Sequence, residues 1–319
     1  MSDASGISAD RFAADDAVAG SGQAPVLLGC DFSSSPSRRK PITVATGARQ
    51  GQVVQLRELL SFSTLDAWQR WLQAQPGWVG AFDFPFGLPR ELLQHWQWNG
   101  SWEEGMRRYA AIGRPELRQR FKDFCAARPV GAKFAHRATD IPAGSSSSMK
   151  WVNPPVAWMM HAGVTRLLDV GARFPGLGGV PASSRVALEG YPGLLARDLL
   201  GRRSYKADTR ARQTPQRHAA RVDLLQRLEI TGSERLGLRL ALSDAQRDVL
   251  VADASADQLD AVLCLVAAAW GAAQGPGAPG PGYGVPSHTD PLEGWIVGAG
   301  VVPVSACEAA AASRLPRRD

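Results

Sequence analysis

Cysteine is scarce. The 319-residue chain has four, at Cys30, Cys125, Cys264 and Cys307, with no C-x-x-C pair. That spacing gives neither a zinc framework nor a disulfide scaffold, and it predicts reduced thiols in a cytosol. Histidine is sparse too: five residues without metal-ligand spacing speak against zinc. No apolar run reaches membrane-spanning length, and no basic segment followed by an apolar one opens the chain. The expectation is a soluble, cytoplasmic protein with no membrane partner. A P-loop and a G-x-S-x-G elbow are also missing. Gly275–Gly280 spells G-x-G-x-x-G, but it follows a helical stretch, and its prolines bar a phosphate-cradling helix start. Ser37–Lys40 and Ser147–Lys150 fit S-x-x-K without its companion motifs.

What is present is enough apolar sequence, 45% of residues, to bury a sizeable core. The formal net charge of +6 favours anionic partners only weakly. Residues 1–24 are Ala, Ser, Asp and Gly with little large apolar content, and they predict a disordered leader. One domain is expected over 25–304, with an insertion of helices and loops at about 90–180 and a flexible tail over 305–319. Pro41–Gly47 and Val53–Phe62 predict two antiparallel strands around a Gly-containing turn. A helix follows, with Ser63 as its N-cap and Asp66 three residues on, ended by Pro76-Gly77. Further helices are expected at Glu103–Ala111 and Pro115–Ala127, and Ile141–Ser148 reads as a Ser-rich loop. A strand ending on Glu189 precedes a helix that starts after Pro192. Ala254–Ala273 predicts a largely apolar helix with Ser255 as N-cap. "EGWIVGAGVVPV" offers a last short strand.

Three of the apolar runs end on an acid: Cys30-Asp31, Phe82-Asp83 and Leu188-Glu189. In open α/β sheets, ligands bind outside the carboxyl ends of parallel strands, so acids placed there meet in space although distant in sequence. Clustered carboxylates are costly without a cation among them, and oxygen-rich sites suit Mg²⁺ or Mn²⁺. Asp257 and Asp260 lie three apart and share a face of the late helix. The helix dipole alone accounts for Asp257 about as well as function does. Asp260 runs straight into "AVLCLVAAAW", which puts it at the core edge.

"LLGCDFSSSP", "GAFDFPFGLP", "LEGYPGLLARDLLGRRSYK", "DQLDAVLCLVAAAW" and "LEGWIVG", in that order, resemble the family known as domain of unknown function 429, described as predicted nucleases of the ribonuclease H-like fold. The resemblance spans scattered motifs over roughly residues 25–300. It implies a mixed α/β sheet: three antiparallel-start strands, a crossover helix, further parallel strands, and a final helix bearing an acid. It also implies that Asp31, Asp83 and Asp260 are metal ligands, with Glu189 or Asp257 completing the set. Glu189 has two open readings, a ligand or the partner of an arginine in the next helix. Two metals about 4 Å apart would activate a water and stabilise the leaving oxygen of a phosphodiester. The residues after Asp31 would then hold phosphate, through Ser33 and Ser34, and track a nucleic-acid backbone, through Arg38, Arg39 and Lys40.

The stretch Arg197–Arg221 is strongly basic. Arg202, Arg203 and Lys206 are its candidate substrate contacts, although such a run is more often a solvated face. Trp96, Trp98 and Trp102, near Arg107 and Arg108, are of a type that stacks bases, but the expectation is that they pack in the core. The leading expectation is a metal-dependent nuclease acting on DNA or RNA. Two alternatives stand beside it: a phosphotransferase or ATPase of the related actin-like superfold, and a non-catalytic nucleic-acid- or protein-binding domain. Phe32 and Ser33 occupy the turn where such phosphotransferases carry glycine.

Overall fold

The computed structural model describes residues 25–277 and 280–302. The leader at 1–24, the tail at 305–319 and Cys307 lie outside the described residues. The elements run β1 (Val26–Asp31), β2 (Ile42–Gln50), β3 (Val53–Phe62), α1 (Leu65–Ala74) and β4 (Trp78–Phe82). Then come α2 (Arg90–His95), α3 (Trp102–Ala111), α4 (Arg114–Ala126), α5 (Asp140–Ala143), α6 (Val156–Asp169), β5 (Arg173–Phe174) and β6 (Gly178–Gly179). The chain continues with β7 (Arg185–Glu189), α7 (Pro192–Leu200), α8 (Pro215–Ile230), β8 (Arg239–Ala241), α9 (Asp244–Ala252) and α10 (Asp257–Gln274).

The strands form one eight-stranded mixed sheet in the order β6-β5-β7-β4-β1-β2-β3-β8, flanked by helices. The β1-β2-β3 meander is antiparallel, whereas β1, β4 and β7 are mutually parallel neighbours. Their carboxyl ends therefore share one edge, and that edge carries the acids. Period-2 alternation splits the core between the two faces. Leu28 and Cys30 pack with Trp68 and Leu72 of α1 and with the aromatic helices between β4 and β7. Leu27, Val79 and Ala81 pack against α7, α8 and α10.

Gly29 sets how closely α10 approaches. A Cβ built there would lie 2.0 Å from the backbone N of Leu265 and 2.1 Å from the carbonyl O of Ala261. The helix thus rests backbone-to-backbone on β1, two residues before Asp31 and one residue after Asp260. We expect Gly29→Ala to cost about 3 kcal/mol or more, because the colliding atoms are main chain and cannot rotate away. Urea unfolding reads this, and a loss under 1 kcal/mol would show that the helix shifts freely.

Several local expectations need correction. The N-cap of α1 is Thr64, not Ser63; its hydroxyl accepts the Ala67 N–H at 3.1 Å. The N-cap position of α10 is Ala256, in the left-handed region at φ 61°, not Ser255. Asp253 does the capping: its carboxylate accepts the backbone N–H groups of Ser255 and Gln258 and the Ser255 hydroxyl. A carboxylate that reaches three donors outcompetes the serine hydroxyl, which becomes one of those donors. The segment after Leu292 forms no strand among the described residues. It contributes one parallel bridge, Glu189 to Ile296, because Gly294, Gly298 and Gly300 all take positive φ and turn the chain. Part of the Ser-rich loop is the short helix α5. Trp98 and Trp102 are buried, Trp96 packs against the same core, and Arg108 covers the Trp98 ring at 4.8 Å. These tryptophans are core, not a base-stacking platform. Among the described residues no helix is long and apolar enough to cross a membrane, and Cys30, Cys125 and Cys264 are free and buried.

Candidate metal centre and cleft

Asp31 is the last residue of β1. Asp83 follows β4 directly, held beside β1 by its own N–H, which donates to the Cys30 carbonyl at 2.9 Å. Asp260 lies in the first turn of α10 and is buried. One carboxylate oxygen from each of Asp31, Asp83 and Asp260 lies within 4.8 Å of the others. Two adjacent parallel strands supply the first two acids, and the close seat of α10 on Gly29 supplies the third.

The three acids have unequal surroundings. Asp260 is fully engaged: Oδ1 accepts the hydroxyl of buried Tyr205 at 2.5 Å, and Oδ2 accepts the Lys206 ammonium. Asp31 and Asp83 keep partial exposure, and among the described residues no donor hydrogen-bonds to their carboxylates. Burial pushes Asp31 well above the usual carboxylate range, helped by Asp260, Asp257 and Asp83 and opposed by Lys206. Burial also pushes Asp83 up to about 7; Lys206 pulls it down, while Asp260 and Glu189 add to the rise. For Lys206 burial acts downward, but Asp260, Tyr205 and Asp83 outweigh it and hold the ammonium charged.

A carboxyl raised in the folded state binds its proton more tightly folded than unfolded. Its contribution is full below about pH 4 and is lost as pH rises through about 7. Ion-free protein is therefore expected to lose stability across that window, by about 4 kcal/mol at most from Asp83. Asp83→Asn should be relieved of this loss, so its melting temperature should gain on wild type as pH climbs from 4 to 8. A constant difference across that range would contradict the assignment.

Glu189 and Asp257 stand apart from this group. Glu189 is buried at the end of β7, and both its oxygens face the Arg137 guanidinium: Nη2 donates to Oε1 at 2.6 Å and Nη1 to Oε2 at 2.8 Å. The Phe86 N–H adds a bond to Oε2 at 3.0 Å. The ligand reading of Glu189 gives way to the ion-pair reading. Its arginine comes from the segment between β4 and β7, not from the next helix. Asp257 lies one turn before Asp260, half-buried. Burial raises its pKa, and the charge of Lys40, itself ion-paired to Asp208 at 2.7 Å, lowers it.

An open cleft of roughly 280 Å³ lies over Asp83, walled by Tyr191, Arg197, Arg202, Arg203, Tyr205 and Lys206. The basic stretch that supplies this wall is less free than its charge suggested. Arg197 donates to the carbonyls of Ala143, Gly144 and Gly193, Arg203 pairs with Asp223, and Arg221 is buried against the carbonyls of Val251 and Tyr205. Arg202 is exposed and has no hydrogen-bond or ion-pair partner among the described residues. Arg197 also lies over the Tyr191 ring, and among the described residues it has no carboxylate partner. After β1, Ser33 and Ser34 are half-buried. The Ser33 hydroxyl accepts the Ser35 N–H at 3.4 Å, and the Ser34 carbonyl accepts Arg114 at 3.2 Å. Arg38 and Arg39 stand exposed in that loop.

Sequence reasoning missed Tyr205 and Arg137. Tyr205 was within reach, being adjacent to Lys206 in "SYK". Arg137 carries no local signal, since only the tertiary fold brings it to Glu189.

The molecule is thus a mixed α/β protein with three converging carboxylates at the carboxyl edge of its parallel strands, one of which, Asp83, lines an arginine-walled cleft. The family model described as "Protein of unknown function (DUF429)" matches residues 29–282, and the chain belongs to that family. No curated protein and no solved structure matches it.

Proposed function

We propose that the protein is a metal-dependent phosphodiesterase that hydrolyses nucleic acid. The observation that carries this reading is the convergence of Asp31, Asp83 and Asp260 where Asp83 opens into a cleft lined by Arg197 and Arg202, neither of which pairs with a carboxylate among the described residues. The sheet order β3-β2-β1-β4-β7 supports a ribonuclease H-like assignment. It has an antiparallel three-strand start, parallel strands beside it, and a last helix bringing an acid to the first strand.

The donor set fits a hard divalent cation. It is all carboxylate oxygen, and among the described residues two of its three members have no hydrogen-bond donor. Asp31, Asp83 and Asp260 would hold the ion, Mg²⁺ or Mn²⁺. A bound ion would supply Lewis-acid polarisation of a phosphoryl oxygen and a water of lowered pKa. Arg202 and Arg197 draw the phosphate into the cleft. Lys206, tied to Asp260 yet half-exposed, presents its ammonium to a non-bridging oxygen. Tyr205 fixes the Asp260 rotamer. Water displaces one ester oxygen at phosphorus; the P–O bond to that oxygen breaks, and the leaving oxygen takes up a proton.

The test is cleavage of labelled single- and double-stranded DNA and RNA by the full-length chain with Mg²⁺ or Mn²⁺, with ATP consumption followed in parallel. Cleavage that EDTA stops and that Asp83→Asn loses is the expected result. ATP hydrolysis without strand cleavage would replace this reading with phosphoryl transfer. Binding without either reaction would leave a non-catalytic nucleic-acid-binding domain.

A further inference from the structure

We propose that the centre takes one divalent ion, not two, because Arg137 withdraws Glu189 from the ligand set and Lys206 serves as a second, tethered cation. The inference rests on the metal-site reading above and fixes the composition of that site.

Four acids stand at this edge of the sheet: Asp31, Asp83, Glu189 and Asp260. A pair of adjacent ions needs a bridging carboxylate and further carboxylates on each side. Glu189 is the acid best placed by sequence to extend the set, and it is unavailable. Arg137 is 1% exposed and Glu189 3% exposed. Every guanidinium nitrogen of Arg137 is used. Nε and Nη2 donate to Asp140 at 3.2 and 2.8 Å, Nη1 and Nη2 to Glu189, and Nη1 also to the Glu293 carbonyl at 3.0 Å. To ligate an ion, Glu189 would have to leave a bidentate buried pair and strand a desolvated guanidinium.

The remaining charges balance around a single ion. Asp31, Asp83 and Asp260 bring three negative charges; the Lys206 ammonium and one divalent ion bring three positive. A second ion would leave two positive charges without a carboxylate among these three acids. Asp257 also bears on Asp31, but it is not one of the three acids whose oxygens converge, and its opposing charge is Lys40 rather than Lys206. Mg²⁺ and Mn²⁺ keep several waters and need only a few carboxylates, so three acids suffice for one ion. Lys206 already sets one positive charge against Asp260.

The experiment is a calorimetric titration of the full-length, chelator-treated protein with Mn²⁺, with bound ions counted by electron paramagnetic resonance. One ion per chain is expected. Glu189→Gln should keep that count with affinity within about twofold. Asp31→Asn should weaken binding by at least about a hundredfold, beyond the loss usual for an outer-shell partner. Lys206→Met should bind Mn²⁺ about tenfold or more tightly, since the tethered competitor is gone. Circular dichroism establishes that each variant is folded. Two ions per wild-type chain would overturn the inference and leave the metal reading standing. So would a Glu189→Gln loss as large as that of Asp31→Asn, or unchanged affinity in Lys206→Met. No ion bound by wild type or Lys206→Met would overturn both.

Discussion

Asp31→Asn is expected to remove strand cleavage, by on the order of a thousandfold or more, while making the ion-free protein more stable. The two effects have one cause. Asp31 sits among Asp83, Asp257 and Asp260, and burial together with those like charges holds its pKa well up. A neutral amide of the same shape relieves repulsion among the carboxylates and forfeits the charge that a divalent ion needs. The ion-free melting temperature should rise by about 2–4 °C. Saturating Mn²⁺, at roughly a hundred times its dissociation constant, should raise wild type by about 5 °C and the variant hardly at all. If Asp31 were only a strand-end cap, the variant would be no more stable than wild type, and Mn²⁺ would shift both alike.

The second large effect lies away from the cleft. Arg137→Met should cost about 3–5 kcal/mol of stability, because Glu189 and Asp140 are both buried and lose their shared counterion. Urea unfolding at pH 7 measures this. Adding Glu189→Gln to Arg137→Met should recover part of the loss, since one uncompensated charge disappears. Arg137 also binds the Glu293 carbonyl, and the Glu293 carboxylate accepts the N–H groups of Arg90 and Ala138. The guanidinium thus joins the β4–β7 insertion, the end of β7 and the segment after α10. A cost below 1 kcal/mol would mean that those three pieces hold together without it.

Much of the site could be read from the chain because its positions follow from periodicity. Asp31 and Glu189 each end an apolar run and Asp83 directly follows one, so parallel pairing of β1, β4 and β7 had to bring them to one edge. Asp260 was legible because an acid at the head of an unbroken apolar helix has to sit where that helix meets the sheet. The sequence could not show which acids would face the cleft and which would be neutralised within the protein. Glu189 looks like Asp31 in one dimension. They differ by Arg137, 52 residues from Glu189 in a loop of the insertion, where no helical or strand period places a side chain. The same limit applied to the basic stretch. Arg202 and Arg221 are equivalent in a charge count, yet one stands in solvent at the cleft and the other is buried against backbone carbonyls. Caps failed for a local reason: Ser63-Thr64 and Asp253-Ala254-Ser255 each offer competing oxygens, and backbone geometry chooses between them.

The most direct test of the account is a crystal of the full-length protein grown with Mn²⁺, with anomalous differences recorded at the manganese edge. The account predicts one strong peak among Asp31, Asp83 and Asp260, at about 2.1 Å from their nearest oxygens, with Glu189 still paired to Arg137. A map without a peak there, with Lys206 still on Asp260 at saturating Mn²⁺, would contradict it.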